Sequence, residues 1–198
     1  GRELRLKQEY FFTSASLQDL LRRYLRDHHD LLALPQHVAI QMNDTHPAIA
    51  VPELMRLLVD EHAMAPDDAF RVTRDCLSYT NHTLLPEALE RWPMHLFARI
   101  LPRHLQLIQY LDRHFVTSLK ERLPELDPQE LTAIDPHNGG SVRMGNLAFI
   151  GSHRVNGVSA LHTELMKKTV FRQLNAAFPE RIVNVTNGIT PRRWLYTC

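Results

Sequence analysis

The chain has 198 residues, of which 44% are hydrophobic and only 7 are glycine, so it can bury one sizeable core and is not expected to be disordered. Its 23 basic and 22 acidic residues nearly cancel, which leaves no overall field that would favour nucleic acid or an anionic membrane as a partner. The two cysteines are too few for a disulfide scaffold and favour a reducing cytoplasm, and no apolar run reaches the length of a membrane span.

Helical spacing of apolar residues predicts the first elements in the chain. Ser16 is an acceptable N-cap for a helix whose leucines and Tyr24 share one face. Pro52 suits the first turn of a second helix, and Asp67 can begin a third that continues to Leu77.

Three more helices are predicted further along. One begins at Pro86, the longest runs from Pro102 to Leu119, and another covers Val158 to Phe171. Residues 124–136 are polar and are expected to form a connector.

Short apolar runs between these helices predict strands. They are Val38–Met42, expected to be buried on both faces, Met144–Ile150 and Ile182–Val185. Alternation of strands with helices indicates an α/β fold with a parallel sheet, in which ligands bind beyond the carboxyl ends of the strands.

Polar motifs fall at the predicted strand ends and helix starts. Asn43–Pro47 crowds an acceptor, a hydroxyl and an imidazole into one turn, although an Asx turn or helix cap would look the same. Tyr79–Trp92 holds a histidine between Asn and Thr. Near the end of the chain, Asn187-Gly188 predicts a turn whose Asn amide is free to bind a hydroxyl-rich ligand.

These three segments, with Asn184–Trp194 as the third, closely resemble the glycogen/α-glucan (maltodextrin) phosphorylase family. The resemblance covers essentially all 198 residues but corresponds only to the latter part of the family's N-terminal half. It implies part of a doubly wound, largely parallel sheet domain in a two-domain glycosyltransferase of the GT-B type. Because the chain begins at Gly1 without a methionine, we expect both ends to be cuts, with the C-terminal cofactor domain absent.

The resemblance also implies roles for individual residues. His82 would border the anomeric centre of the sugar, where its main-chain carbonyl can stabilise the positive charge of an oxocarbenium-like transition state. Asn187 would hold the sugar 6-hydroxyl. The remaining residues implied to face the glucosyl unit are Asp44, His46, Thr83, Ala88 and Val158.

The family reaction is phosphorolysis of terminal α-1,4-linked glucose to glucose 1-phosphate, with pyridoxal phosphate as cofactor. The resemblance places Trp194 beside that cofactor, while the attachment lysine and the residues that hold inorganic phosphate belong to the C-terminal half. Lys167-Lys168 does not match the lysine segment. The isolated chain is therefore expected to be inactive, and its parent is expected to be a cytoplasmic homodimer of bacterial type.

Animal-type regulation is doubtful from the sequence. Arg22-Arg23 matches a pair that meets an activating nucleotide's phosphate in regulated animal enzymes, but a charged pair on a helix is usually just solvated. The Asp27–Gln36 connector looks shorter than in those enzymes, and Gln109 stands where a storage-site tyrosine is expected.

Other functions compete with the phosphorylase interpretation. A sugar-nucleotide-dependent glycosyltransferase of the same architecture and a non-catalytic carbohydrate-binding fragment both remain open. Glu87 and Glu90 are predicted to be helix neighbours rather than glycosidase carboxylates that flank a bond. Gly151–Val158 fits neither phosphate-binding fingerprint, and the absence of HExxH or zinc-module spacing predicts no metal.

Overall fold

The computed structural model describes residues 1–125, 127–137 and 140–190. Its helices in chain order are α1 (Arg2–Asp27), α2 (Ala50–Arg56), α3 (Pro66–Cys76), α4 (Met94–Ile100), α5 (Pro102–Arg122), α6 (Met144–Ile150), α7 (Ala160–Lys168) and α8 (Arg172–Ala177). The strands are β1 (Ile40–Asn43), β2 (Leu77–Thr80), β3 (Arg91–Pro93), β4 (Ile134–Asp135), β5 (Ser141–Arg143), β6 (Arg154–Gly157) and β7 (Ile182–Asn184). Four 3-10 turns and one π turn complete the described elements: Leu31–Gln36, His46–Ile49, Leu57–Glu61 (π), Pro86–Ala88 and Pro128–Glu130.

Four strands form a parallel sheet in the order β1-β2-β6-β7. Asn43 pairs with Thr80, and Thr80 pairs with Asn156, so three strands end level with one another. Gly157 pairs with Asn184 on the last strand. The predicted α/β fold with a parallel sheet is confirmed, and the four carboxyl ends meet along one edge, where ligands of such sheets bind.

A second sheet, with strand order β3-β5-β4, is antiparallel. Trp92 pairs with Val142 at its centre, and both side chains are buried. Asp135 forms salt bridges with Arg91 at 2.8 Å and with Arg143 at 3.2 Å. The sequence did not predict this sheet because its strands are only two or three residues long, too short for alternation to be visible.

Aromatic side chains form the centre of the core below the parallel sheet. Tyr79, Phe149 and Phe171 are all fully buried. The Phe171 ring lies edge-on to Tyr79 with 6.3 Å between centroids, and its centroid is 5.8 Å from that of Phe149. These contacts join β2 to α6 and to the segment before α8.

Glu53 of α2 connects three helices through buried polar contacts. Its carboxylate accepts hydrogen bonds from Ser14 of α1 at 2.6 Å and from Arg56 at 2.9 Å, and it contacts His104 Nε2 of α5 at 2.6 Å. Burial favours the protonated acid, but the hydrogen bonds from His104, Arg56 and Ser14 outweigh it and lower the pKa of Glu53 to about 2. Glu53 is therefore ionised and fully paired at neutral pH.

The first helix is longer than the sequence pattern indicated. It begins at Arg2, and Ser16, expected to be its N-cap, lies inside it and donates to the Phe12 carbonyl at 2.8 Å. The stripe that faces the core continues upstream through Leu6 and Ser14, both buried. Ser14 is polar, so a search for apolar residues does not include it in that stripe. The structure shows that Ser14 is paired with Glu53.

Two segments were assigned the wrong element. Met144–Ile150 is helix α6 rather than a strand, because a short helix buried nearly all round has the same continuous apolar run as a buried strand. Leu77, expected to end a helix, begins strand β2. Strand β6 within the Gly151–Val158 string was not predicted, whereas the helix predicted over Val158–Phe171 is confirmed as α7 to within a few residues.

Two further expectations also fail. The helix predicted at Pro86 is only the 3-10 turn Pro86–Ala88, so Glu87 and Glu90 do not share a helix. Strand β1 is not buried on both faces, since Gln41 and Asn43 are exposed. The predictions for α2, α3, α5 and β7 are confirmed to within a few residues.

Candidate functional site

The turn after β1 holds its polar residues at the carboxyl edge of the parallel sheet. Asp44 has a φ of 66°, a left-handed conformation that Asp tolerates better than most residues. Its N–H donates to the Thr80 carbonyl at 3.0 Å, and its carboxylate accepts from the Thr45 N–H at 2.7 Å. These bonds fix the half-buried Asp44 side chain beside the end of β2.

The exits of β1 and β2 are joined by a side-chain contact. His82 Nε2 lies 2.5 Å from the Oδ1 atom of Asn43. Because that oxygen can only accept, Nε2 carries the proton in this contact. The His82 ring is otherwise exposed, so its hydrogen bond to Asn43 is what orients it.

Asn81 fixes the main chain around His82 from below. Its side chain is fully buried, donates to the Tyr79 hydroxyl at 3.1 Å and accepts from the Thr83 N–H at 3.2 Å. Its own N–H donates to the Asn156 carbonyl of β6 at 3.0 Å. The His82 and Thr83 peptides are thus held against two strands.

The chain after β7 continues alongside the end of β6. Val185 N–H donates to the Gly157 carbonyl at 3.1 Å, and Asn187 N–H donates to the Val158 carbonyl at 3.0 Å. The Asn187 side chain is exposed and makes no hydrogen bond to a described residue. The predicted Asn187-Gly188 turn is wrong: neither residue has a positive φ, because the two main-chain bonds hold this segment beside β6.

Gly157 permits the close approach of α7 to this edge. A Cβ atom at Gly157 would lie 2.3 Å from Thr163 Oγ1 and 2.9 Å from His162 Nδ1. Thr163 Oγ1 is tied to the Ser159 carbonyl at 2.8 Å, so it could not simply move aside. His162 Nδ1 accepts from the Val158 N–H at 3.2 Å, which joins the helix to the strand exit.

His46 and Ala88 lie apart from these contacts. His46 is exposed and, with Arg5, Glu9 and Phe12 of α1, lines a pocket of about 410 Å³. Ala88 is exposed on its 3-10 turn. The described hydrogen bonds therefore bring together Asp44, His82, Thr83, Val158 and Asn187, which we term the strand-exit cluster together with Asn43.

A pair of carboxylates lies beside the pocket that His46 lines. Glu9 and Glu90 each form a salt bridge with Arg5 at 3.2 Å. Burial, and then the neighbouring charge of Glu90, raise the pKa of Glu9 above its usual range. Glu90 therefore ties the segment after Ala88 to α1, which is a structural contact.

A family model for carbohydrate phosphorylases matches residues 1–198. The chain belongs to this family. Among its relatives, the chain is 46% identical to glycogen phosphorylase of Chlamydia pneumoniae, an alignment that covers 100% of the chain and 24% of that protein. It is 50% identical to glycogen phosphorylase of Haemophilus influenzae, over 98% of the chain and 24% of that protein.

The muscle form of human glycogen phosphorylase is 47% identical, over 100% of the chain and 25% of that protein. That alignment runs over 211 positions, so the human protein has residues that this phosphorylase-family chain lacks. The chain spans about a quarter of the length of the curated relatives it matches.

The lysines of this carbohydrate phosphorylase chain lie at exposed or half-buried positions. All four lysines lie on helices, and none is buried: Lys7, Lys120, Lys167 and Lys168. Lys167 is paired with Glu164 at 3.2 Å in the last turns of α7. Trp194, implied to lie beside pyridoxal phosphate, is outside the described residues.

Three observations bear on other ligand classes. Within residues 1–125, 127–137 and 140–190, no group of three or more His, Cys, Asp or Glu side chains is arranged to hold a metal ion. No described helix combines the length and apolar character needed to cross a bilayer. Arg22 and Arg23 lie on an exposed face of α1, where both pair with Asp19.

Sequence reasoning missed the residues that support the strand-exit cluster. Asn43 was included only as part of a motif, and Asn81 only as a neighbour of His82. His162 has no signal of its own in the sequence, because an isolated histidine is usually structural. Only Asn43 had an available signal, its position directly after the predicted strand Val38–Met42, because β2 and β6 were not predicted.

Proposed function

We propose that this chain forms the glucosyl-binding wall of an α-1,4-glucan phosphorylase, which releases glucose 1-phosphate from a glucan and inorganic phosphate. The observation that carries the proposal is the convergence of His82, Thr83, Val158 and Asn187 at one sheet edge. Relatives named glycogen phosphorylase are 46–50% identical to the chain. The parent would be a cytoplasmic homodimer with two GT-B-type domains.

Asn187 would bind the 6-hydroxyl of the glucosyl unit. Its amide offers one acceptor and two donors, and it has no competing partner among the described residues. Its main chain is pinned to Val158, so the side chain starts from a fixed point beside β6. A positioned amide of this kind selects a sugar hydroxyl because its loss leaves the partner unsatisfied.

His82 would act through its main-chain carbonyl at the anomeric carbon. A carbonyl dipole held in place before the reaction stabilises developing positive charge without reorganising. The buried Asn81 supplies that rigidity, since it bonds the Thr83 N–H that follows the His82 carbonyl. The ring, bound to Asn43, is left to contact the sugar.

Asp44, Thr83 and Val158 of the strand-exit cluster would complete the wall around the sugar, together with His46 and Ala88, which lie outside the cluster. The isolated chain would be inactive, because the lysine that attaches pyridoxal phosphate and the residues that bind inorganic phosphate would lie outside these 198 positions. This division agrees with the exposed or half-buried position of every lysine in the chain.

The test uses the full-length parent enzyme and maltoheptaose with inorganic phosphate. We expect the wild type to release glucose 1-phosphate and to show no transfer from a sugar nucleotide. Asn187→Ala should raise the activation free energy derived from kcat/KM by about 1–3 kcal/mol, because the sugar 6-hydroxyl loses its partner.

Asn175→Ala is the matched control. Asn175 lies on α8, before β7 rather than after it, and its Oδ1 has no hydrogen-bond partner. It should therefore leave kcat/KM unchanged. Equal activity of Asn187→Ala and the wild type would refute the binding role, and transfer from a sugar nucleotide would refute the reaction.

A further inference from the structure

His162 occupies the junction between α7 and the strand-exit cluster. It lies in the first turn of α7, where its N–H donates to Ser159 Oγ at 3.1 Å. Ser159 is the N-cap of the helix, so the His162 backbone is fixed at the point where α7 meets the sheet edge. Its side chain therefore leaves the helix toward Val158.

The two ring nitrogens of His162 face two different segments. Nδ1 accepts from the Val158 N–H at 3.2 Å. Nε2 is buried, lies toward the main chain of Thr83 and makes no hydrogen bond of normal geometry. Since Nδ1 is an acceptor, the neutral ring carries its proton on Nε2. Burial lowers the pKa of His162, which favours this neutral form.

The N–H and carbonyl groups of Val158 link His162 to Asn187. The Val158 N–H is held by His162, while the Val158 carbonyl accepts from the Asn187 N–H at 3.0 Å. Displacement of the Val158 main chain would therefore move the backbone to which Asn187 is pinned. Gly157 has no Cβ atom, so no side chain at the preceding position restrains the Val158 main chain.

We propose that His162 is a positioning residue, which places Asn187 for the sugar 6-hydroxyl through the main chain of Val158. The inference rests on the proposed function. It assigns to His162 a part of the enzyme's selectivity for the sugar. No proton transfer by the imidazole is involved, so the property that matters is an acceptor at the Nδ1 position.

Two substitutions in the full-length enzyme distinguish the role of His162 Nδ1 from that of Nε2. In His162→Asn, the side-chain oxygen can replace Nδ1 as acceptor for the Val158 N–H. In His162→Gln, the longer amide reaches the Nε2 position and leaves the Val158 N–H without its partner. Both variants are polar and similar in size, so a merely structural role would affect them alike.

The substrates are glucose 1-phosphate and its 6-deoxy analogue, used in the direction of glucan synthesis. We expect His162→Asn to keep kcat/KM for glucose 1-phosphate within about twofold of the wild type, and His162→Gln to lower it about 5- to 30-fold. With the 6-deoxy analogue the two variants should be equal. In an Asn187→Ala background, His162→Gln should add less than about a twofold loss.

His153→Gln is the control, because His153 Nδ1 contacts the Leu77 carbonyl at 2.8 Å at the opposite end of β6. His153→Gln should change kcat/KM for both substrates by the same factor, or leave both values unchanged. Thermal unfolding of each variant reports folding separately. Equal losses in His162→Asn and His162→Gln, an equal loss on both sugars, or an undiminished loss in the Asn187→Ala background would each overturn the inference. A wild type inactive with glucose 1-phosphate would instead refute the proposed function.

Discussion

His82 has two groups that would act separately, its imidazole ring and its main-chain carbonyl. Its ring is exposed and bound to Asn43, whereas its main chain lies in a segment fixed by the buried Asn81. A substitution can remove the ring but cannot remove the carbonyl. The proposed stabilisation of positive charge should therefore survive most replacements at this position.

We expect His82→Ala in the full-length enzyme to lower kcat by no more than about tenfold, or about 1.4 kcal/mol of barrier. The loss comes from the ring contact with Asn43 and the sugar, while the carbonyl dipole stays in place. Steady-state kinetics with maltoheptaose measure it. Complete loss of turnover with normal folding and glucose binding would show that the ring itself is catalytic.

At the residue scale, polar positions could be predicted from the sequence but their partners could not. Motifs located Asp44 after a predicted strand and His82 before a predicted helix. The 2.5 Å contact of His82 with Asn43 depends on the register of β1 against β2, which a single sequence does not encode visibly. The path of the main chain at Asn187 likewise depends on hydrogen bonds to Gly157 and Val158, whereas the Asn-Gly dipeptide by itself favours a turn.

Among the elements, length and exposure decided which predictions held. The amphipathic helix α5 and the strand β7 were predicted because each shows one clear pattern. Helix α6 was mistaken for a strand because burial on nearly all sides removes helical periodicity. The start of α1 was missed because its inward stripe includes Ser14, whose partner Glu53 is 39 residues away.

The junction of α1, α2 and α5 predicts a specific acid lability. The pKa of Glu53 is about 2 in the folded chain, below its ordinary value of 4.5. A lowered pKa stabilises the fold above the ordinary value, and this contribution disappears as the pH falls from about 4.5 through 2. The difference amounts to about 3 kcal/mol.

Urea unfolding of the 198-residue chain between pH 7 and pH 2 measures this effect. The wild type should lose about 3 kcal/mol more than Glu53→Gln over the acid range. At pH 7, however, Glu53→Gln should be less stable than the wild type because charged Arg56 loses its buried carboxylate partner. Glu61→Gln removes a half-exposed partner of the same arginine and should retain the wild-type acid slope. An identical slope in Glu53→Gln would contradict the assignment.

On the scale of the whole molecule, the chain presents apolar surface that its own fold does not cover. Phe11 and Phe12 of α1 are 66% and 70% exposed, and Leu161 and Ile189 near the strand-exit cluster are 72% and 77% exposed. In relatives, which are about four times as long, further polypeptide is available to cover the corresponding positions. Exposed apolar groups in one quarter of a protein favour association when that quarter is isolated.

Under the proposed function, the 198-residue chain by itself should be catalytically silent. After incubation with pyridoxal phosphate and reduction with borohydride, we expect no pyridoxyl group at one defined lysine, because all four lysines lie on exposed or half-buried helix positions. No glucose 1-phosphate should form from glycogen and phosphate. Peptide mapping and a coupled assay measure the two outcomes.

Addition of the remaining polypeptide of the parent is the positive control for this silence. Activity that appears only in the mixture would place part of the cofactor and phosphate sites outside the chain. The six residues of the strand-exit cluster, proposed to contact the sugar, include no lysine or arginine that could bind a phosphate. The strand-exit cluster must then meet a second domain, and substitution of Asn187 in the chain should weaken the reconstituted activity as it does in the intact enzyme. A uniquely labelled lysine together with phosphorolysis by the chain alone would show that this division of the active site is wrong.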